Sequence, residues 1–411
     1  MFDRSQAQAS RGALRPGSVG FTLVMSTAMA MTALAIDSML PAFDAIRSDL
    51  GLEPGATDVA VLVTVFMVGF GLGQLPAGLL ADRFGRRPVL WGGVAIYIVG
   101  AIGTTLAPTL LTMALARFVW GVGAAGPRVA VTAMIRDAFE GEQMARQMSN
   151  IMAIFLLVPM IAPSAGAAMV ALGSWRYTVW MCVAVGLVVL VLSSRLPSTL
   201  PPDKRRSLNG REIVRSWQIV LTTPGTVAYM VSITLSTSVF LSYLASSENL
   251  FDTVFGLGAW FPVIFGAMAV GLALGAILNG RIVERVGLDR MLLVTSGSFV
   301  VASVLMFGVA LATDGVPEFA MFAPVILLAL MAVQMTTINA NTAAMIPLGR
   351  VAGSGAAILG MVPLVVGSIL GSLIDRRFDG TVMPLSTAFL VASLLAFVAM
   401  RSAYRRSAAV R

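Results

Sequence analysis

Twelve apolar runs, each about the length of a bilayer crossing, alternate along the chain with short polar stretches. They cover 19–43, 57–80, 88–107, 109–133, 147–171, 177–195, 224–246, 258–280, 291–312, 320–346, 351–374 and 384–403. A helix needs about 20 apolar residues to span a membrane. Backbone groups in hydrocarbon must be satisfied within their own segment, so each run is expected to be a helix. Several runs are rich in Gly, Ala and Ser, the small residues that let membrane helices approach closely. The predicted class is an all-α membrane protein with twelve transmembrane helices.

Composition agrees with the pattern. Hydrophobic residues make up 57% of the 411 and charged residues only 12%, with a mean hydropathy of +0.88. A soluble globular chain is about one quarter charged. So few charges cannot cover so much apolar surface in water, so lipid must be the solvent for most of the chain.

Charge then sets an orientation. With the amino terminus inside, 22 of the 28 basic residues fall on the inner side and four (Arg47, Arg176, Arg376 and Arg377) on the outer side. Arg117 and Arg128 lie within a run. By the positive-inside rule both termini are cytoplasmic. The net charge of +8 comes from short clusters between runs, with no basic stripe interleaved with aromatics, so nucleic acid is not an expected partner. Arg4, Arg11, Arg15 and the Ala28-Met29-Ala30 stretch also resemble a cleavable signal peptide, but the apolar run continues through Leu40, which favours an uncleaved first span.

The longest polar stretch, 196–217, contains Pro197, Pro201 and Pro202 and divides the chain near its middle. The expected organisation is an amino-terminal cytoplasmic segment (1–18), a six-helix bundle (19–195), a cytoplasmic linker (196–223), a second six-helix bundle (224–403) and a tail (404–411). A repeat supports the division. Gly78, Asp82, Arg83 and Gly85 follow the second run, and Gly280, Glu284, Arg285 and Gly287 follow the eighth, both as G-x-x-x-[DE]-R-x-G. Chance recurrence in two short basic loops is the alternative to duplication. The matching place in each half favours two bundles related by an axis along the membrane normal.

Several chemistries are excluded. There is no histidine, the single cysteine is Cys182 inside an apolar run, and the single lysine is Lys204 with no glycine before it. No disulfide framework, metal cluster or phosphate-cradling loop can be assembled. No nucleophile and base pair is available for an enzyme, and no cofactor is expected. Work must come from an existing gradient, unless transport is downhill.

Asp37 is the acid that the pattern places well inside a span, and a buried acid is a functional hypothesis by default. It is the candidate proton site. The alternative is a permanently ionised residue in a wet vestibule that only stabilises a helix contact. Arg117 and Arg128, eleven residues apart, point from one face of the fourth helix about 16 Å apart along its axis. Two such arginines should face the bundle interior or a water-filled path. Arg117 is the expected partner of Asp37. Arg128, after Pro127, either lines an inward-facing cavity as an anion-attracting group or snorkels to the cytoplasmic interface. Trp120, Phe155, Tyr243, Gln334 and Asn341 are candidate cavity residues, with packing or bonding between helices as the plainer role for each.

The loop after the second run carries a resemblance. Gly78, Asp82, Arg83, Gly85, Arg86 and Arg87 match, at every position, the signature loop of the major facilitator superfamily. Arg117 followed by Gly121, Gly123, Ala124 and Ala125 resembles the fourth-helix motif of its drug:proton antiporters. Pro159, Ala162, Pro163 and Gly166 are similar to the fifth-helix antiporter motif, with glycines lost, and Trp175-Arg176-Tyr177 resembles the usual start of the sixth helix. Ile36-Asp37-Ser38-Met39-Leu40-Pro41 and Thr199-Leu200-Pro201-Pro202 resemble the bicyclomycin/chloramphenicol-resistance (Bcr/CflA-type) branch.

The resemblance implies the major facilitator fold and a bacterial inner-membrane exporter, expected as a monomer, that exchanges a small-molecule substrate for protons. It implies that Asp37 and Arg117 contribute to proton and substrate handling. It implies also that Asp82, Arg83 and Arg86 hold the two halves together on the cytoplasmic side in the outward-open state. The departures are Trp120 where the motif usually has glutamine, Met29 and Met31 where some relatives carry a second acid, and Arg128, which is outside the general motif. Together they point away from lipophilic cations and toward a neutral or anionic substrate.

Overall fold

The computed structural model describes residues 14–53, 55–196 and 210–410. Expectations resting on Arg4, Arg11, Lys204, the prolines of the linker and Arg411 lie outside the described residues, as do most of the amino-terminal segment and much of the linker.

The helices are α1 (Val19–Asp37), α2 (Phe43–Asp49), α3 (Val61–Phe84), α4 (Arg86–Leu106), α5 (Leu110–Ala138), α6 (Gly141–Ala171), α7 (Arg176–Ser193), α8 (Gly210–Thr222), α9 (Pro224–Asn249), α10 (Phe261–Val286), α11 (Leu288–Ala312), α12 (Phe319–Met345), α13 (Ala352–Asp375) and α14 (Met383–Val410). Twelve helical segments are long and apolar enough to cross a membrane. In chain order they are α1 with its extension through α2, then α3 to α7, and α9 to α14. Helix α8 lies in the linker and is too short and too polar to be a span. Six spans pack as one bundle on each side of the linker.

Close approach within the first bundle depends on glycine. A Cβ on Gly121 of α5 would lie 2.1 Å from the Phe66 carbonyl oxygen of α3, and one on Gly123 would lie 2.2 Å from the Tyr97 nitrogen of α4. The small residues of the fourth span thus seat it between its neighbours, where hydrocarbon gives no hydrophobic drive and close packing must hold helices together.

The repeated loop is repeated in three dimensions. Gly85 separates α3 from α4 at φ +100°, and Gly287 separates α10 from α11 at φ +83°. Each amide donates back into the preceding helix, to Ala81 and Val283 respectively. A left-handed backbone at both places requires glycine, so the duplication read in the sequence is a structural equivalence.

Two of the boundaries that differ from the hydropathy pattern bear on the site. The first apolar run is not one straight helix: α1 ends at Asp37, a tight turn over Leu40–Ala42 follows, and α2 continues to Asp49. The seventh run continues beyond 246 to Asn249, which brings Glu248 into the span.

The bundles meet along two seams. Helix α3 packs on α13, with Gly71 against Val365 and Leu364, and Gln74 against Gly360. Helix α6 packs on α10, where a Cβ on Gly266 would lie 3.0 Å from the Met160 carbonyl oxygen.

Candidate functional site

Asp37 is the last residue of α1 and is only 5% exposed. The turn after it is pinned by the Ser38 hydroxyl, which donates to the Leu34 carbonyl at 2.6 Å. Helix α6 lies against this turn: a Cβ on Gly166 would sit 1.9 Å from the Ser38 carbonyl oxygen. The antiporter-like stretch therefore lies against the backbone of the residue that follows the candidate proton site. Helix α6 is continuous through Pro159 and Pro163. Among the described residues, no hydrogen bond or ion pair reaches the Asp37 carboxylate.

The expected Asp37–Arg117 pair is not formed. Arg117 is fully buried, and its guanidinium donates to the carbonyls of Leu62 (3.3 Å) and Ala35 (3.0 Å). It also lies 4.5 Å from the Phe66 ring centroid and 4.8 Å from that of Trp120. Arg117 fastens three spans, α1, α3 and α5, to one another.

Trp120 differs from a cavity wall. It is 1% exposed, edge-on to Phe66 and Tyr97 at 6.0 and 5.4 Å, and its backbone approaches Gly100 of α4. Gly100 leaves room for the Trp120 backbone to come this close. Tyr243 is also buried, parallel to Phe265 at 6.5 Å, and its hydroxyl has no partner. Gln334 is half-buried and Asn341 exposed.

Arg128 and Phe155 are brought together, and both are half-buried. The guanidinium carbon lies 5.5 Å from the ring centroid, within cation–π range.

The signature loop bonds within its own half. Arg86 donates to Asp82 at 2.7 Å, to Asp137 at 2.9 Å and to the Ala81 carbonyl at 2.6 Å. Arg87 stacks on Trp91 and donates to the Ser194 carbonyl. Arg83 is exposed and lies over Phe84, and Gly78 has open space around its α-carbon. In this conformation none of these bonds joins the two halves.

The two halves are instead joined by ions at the opposite end. Arg47 of α2 donates to both oxygens of Glu248 of α9, at 3.1 and 2.8 Å, and to Asn249 at 2.6 Å. Its Nε donates to the Ala56 carbonyl at 3.0 Å. Arg47, Glu248 and Asn249 are each 6% exposed or less. The fork of a guanidinium matches a carboxylate in two parallel bonds, the strong form of such a pair. Sequence reasoning missed this group, although a lone arginine among acids on the side that should lack basic residues was a usable signal.

Asp375, the last residue of α13, was also missed. It is buried, one oxygen accepts from Ser242 at 2.6 Å, and the other has no partner. It borders a cavity of about 410 Å³ with Thr57, Asp58 and Arg376. No group of three or more potential metal ligands occurs among the described residues.

Comparison with known proteins places this architecture. A family model described as Major Facilitator Superfamily matches residues 20–361. An MFS-type transporter, YdgK, of Bacillus subtilis is 27% identical over 375 residues, 89% of this chain and 90% of that protein. A bicyclomycin resistance protein homolog of Haemophilus influenzae is 27% identical over 394 residues, 93% of this chain and 96% of that protein. The crystal structure of a D-xylose–proton symporter superposes with a TM-score of 0.72 at 13% identity, covering 92% of this chain and 97% of that one. At that identity the likeness concerns the fold.

Proposed function

The chain belongs to the Major Facilitator Superfamily, and on that premise we propose that it is a proton-coupled exporter of a small amphiphilic compound. A multi-pass membrane transporter of this superfamily moves small molecules and is not an enzyme. The finer reading places it in the bacterial inner membrane as a monomer, with both termini and the arginine-rich loops in the cytoplasm. The relative named for bicyclomycin resistance supports an antibiotic or an exported metabolite as substrate.

The observation that carries the reading is the Asp37 carboxylate. It is buried at the end of α1 with no cation bonded to it among the described residues, where a fixed charge is costly, and Gly166 of the fifth span lies against the backbone of the next residue, Ser38. A carboxylate so placed exists at lowest cost as the neutral acid and becomes an anion when water reaches it. Alternating access supplies that exchange: the proton enters from one side and leaves to the other as the bundles rock about the site. Arg117 serves here through the backbone of α1 rather than as a counter-ion.

In this reading the conformation described is closed toward the outside. The Arg47–Glu248 clamp lies at the outer end, and the signature loop at the cytoplasmic end engages its own half. Residues Asp82, Arg83 and Arg86 would reach across only after the bundles rock to the outward-open state.

A growth and accumulation screen across chemically varied compounds, with the native protein and Asp37→Asn side by side, tests the proposal. Protection by the native protein and none by the variant, at equal amounts in the membrane, is expected. Equal protection by both removes Asp37 from the mechanism.

A further inference from the structure

The two arginines of the fourth span are in opposite situations. Arg117 is sealed off, its donors spent on Leu62 and Ala35 and its faces covered by Phe66 and Trp120. Arg128 lies on the same helix face about three turns further along. Among the described residues, no carboxylate, carbonyl or hydroxyl accepts a bond from it. The other arginines held in buried or half-buried places have such partners: Arg47 has Glu248, Arg86 has Asp82 and Asp137, and Arg176 has Asp49.

Arg128 also faces away from lipid. Leu111, Leu115 and Val119, the exposed large apolar residues of α5, lie about 100°, 140° and 180° around the helix from it. Its guanidinium instead lies over Phe155 of α6, a neighbour inside the same bundle. A snorkelling arginine would run along the lipid face, so this one is directed inward. It stays half-buried, reachable from the arginine-rich end of the bundle.

A guanidinium has five donors in a planar fork that matches the two oxygens of a carboxylate. With all five unused by protein and one face resting on an aromatic ring, the group is prepared for a planar anion with an apolar part.

We propose that Arg128 and Phe155 form the anion-recognising part of the substrate site, so that the exported compound carries a carboxylate or an equivalent planar anionic group beside an aromatic or apolar body. This rests on the exporter reading above, but its test does not require transport. Salicylate serves as probe, with benzyl alcohol and benzyltrimethylammonium as its neutral and cationic counterparts, titrated calorimetrically into the purified full-length protein in nanodiscs.

Saturable binding of salicylate is expected, with neither counterpart binding comparably. Arg128→Gln should weaken it by more than about tenfold, and Arg128→Lys should retain part of it as a point charge without the fork. Equal melting temperatures for the native protein and Arg128→Lys guard against a folding artefact. Absence of salicylate binding, equal binding of the alcohol or the cation, or salicylate affinity unchanged in Arg128→Gln overturns the proposal. If salicylate binds through Arg128 while no compound of the growth screen is moved by a proton gradient, the exporter reading fails and the anion site stands.

Discussion

At the residue scale, Asp37 and Arg117 illustrate what a one-dimensional pattern can and cannot say. Their burial was legible, because a charged residue within an apolar run has to be placed inside the protein. Their pairing was not, because it depends on which way each side chain leaves its helix. The guanidinium found two carbonyls and two rings, whereas among the described residues no hydrogen bond or ion pair reaches the carboxylate. Arg117→Ala should therefore act first on folding. Losing two charge-assisted hydrogen bonds and the ring contacts should cost roughly 2–4 kcal/mol, read as a lower melting temperature and less protein in the membrane. Arg117→Lys should recover little, since a point charge cannot reach both carbonyls in the same geometry. A variant that melts like the native protein but has lost transport would instead give Arg117 a direct part in proton handling.

At the element scale, length and hydropathy were enough to place twelve spans, and the repeated loop was enough to pair the halves. Gly85 and Gly287 show why: the turn after the second span of each half requires a left-handed residue, and glycine records that need in the sequence. The break in the first span at Asp37 was hidden from hydropathy by Met39, Leu40 and Ala42, and only Pro41, which disfavours helix at and before its position, marked it. The contact of the fifth span with that turn was equally hidden, since a glycine that admits another backbone looks like any other glycine. Gly166→Ala tests the contact. Its methyl would meet the Ser38 carbonyl at 1.9 Å, and the overpacking should cost about 1–3 kcal/mol. Gly78→Ala, which meets nothing, should melt like the native protein. Equal melting of the two variants would mean that α6 does not press on the Asp37 turn.

At the scale of the whole molecule, the four basic residues on the side that should lack them are informative. Two are built into ion pairs: Arg176 with Asp49 inside the first half, and Arg47 with Glu248 across the halves. The second of these ties the closed face. Arg47→Ala leaves Glu248 buried without its partner, a loss of about 3–5 kcal/mol to the closed arrangement. It should speed labelling of a cysteine placed at Ser246 by a membrane-impermeant maleimide added outside. Exchanging the two charges, Arg47→Glu with Glu248→Arg, should slow that labelling again, whereas unchanged labelling in Arg47→Ala would deny the clamp a gating part. The central claim, that Asp37 couples export to protons, is tested most directly in inverted membrane vesicles with an imposed pH gradient, acidic inside, and a compound taken from the growth screen. The native protein should accumulate the compound while the gradient lasts and stop when an uncoupler removes it. Asp37→Asn, present in equal amount and equally stable, should not accumulate it at all. Accumulation by Asp37→Asn at the native rate, or native flux indifferent to the gradient, would contradict the account.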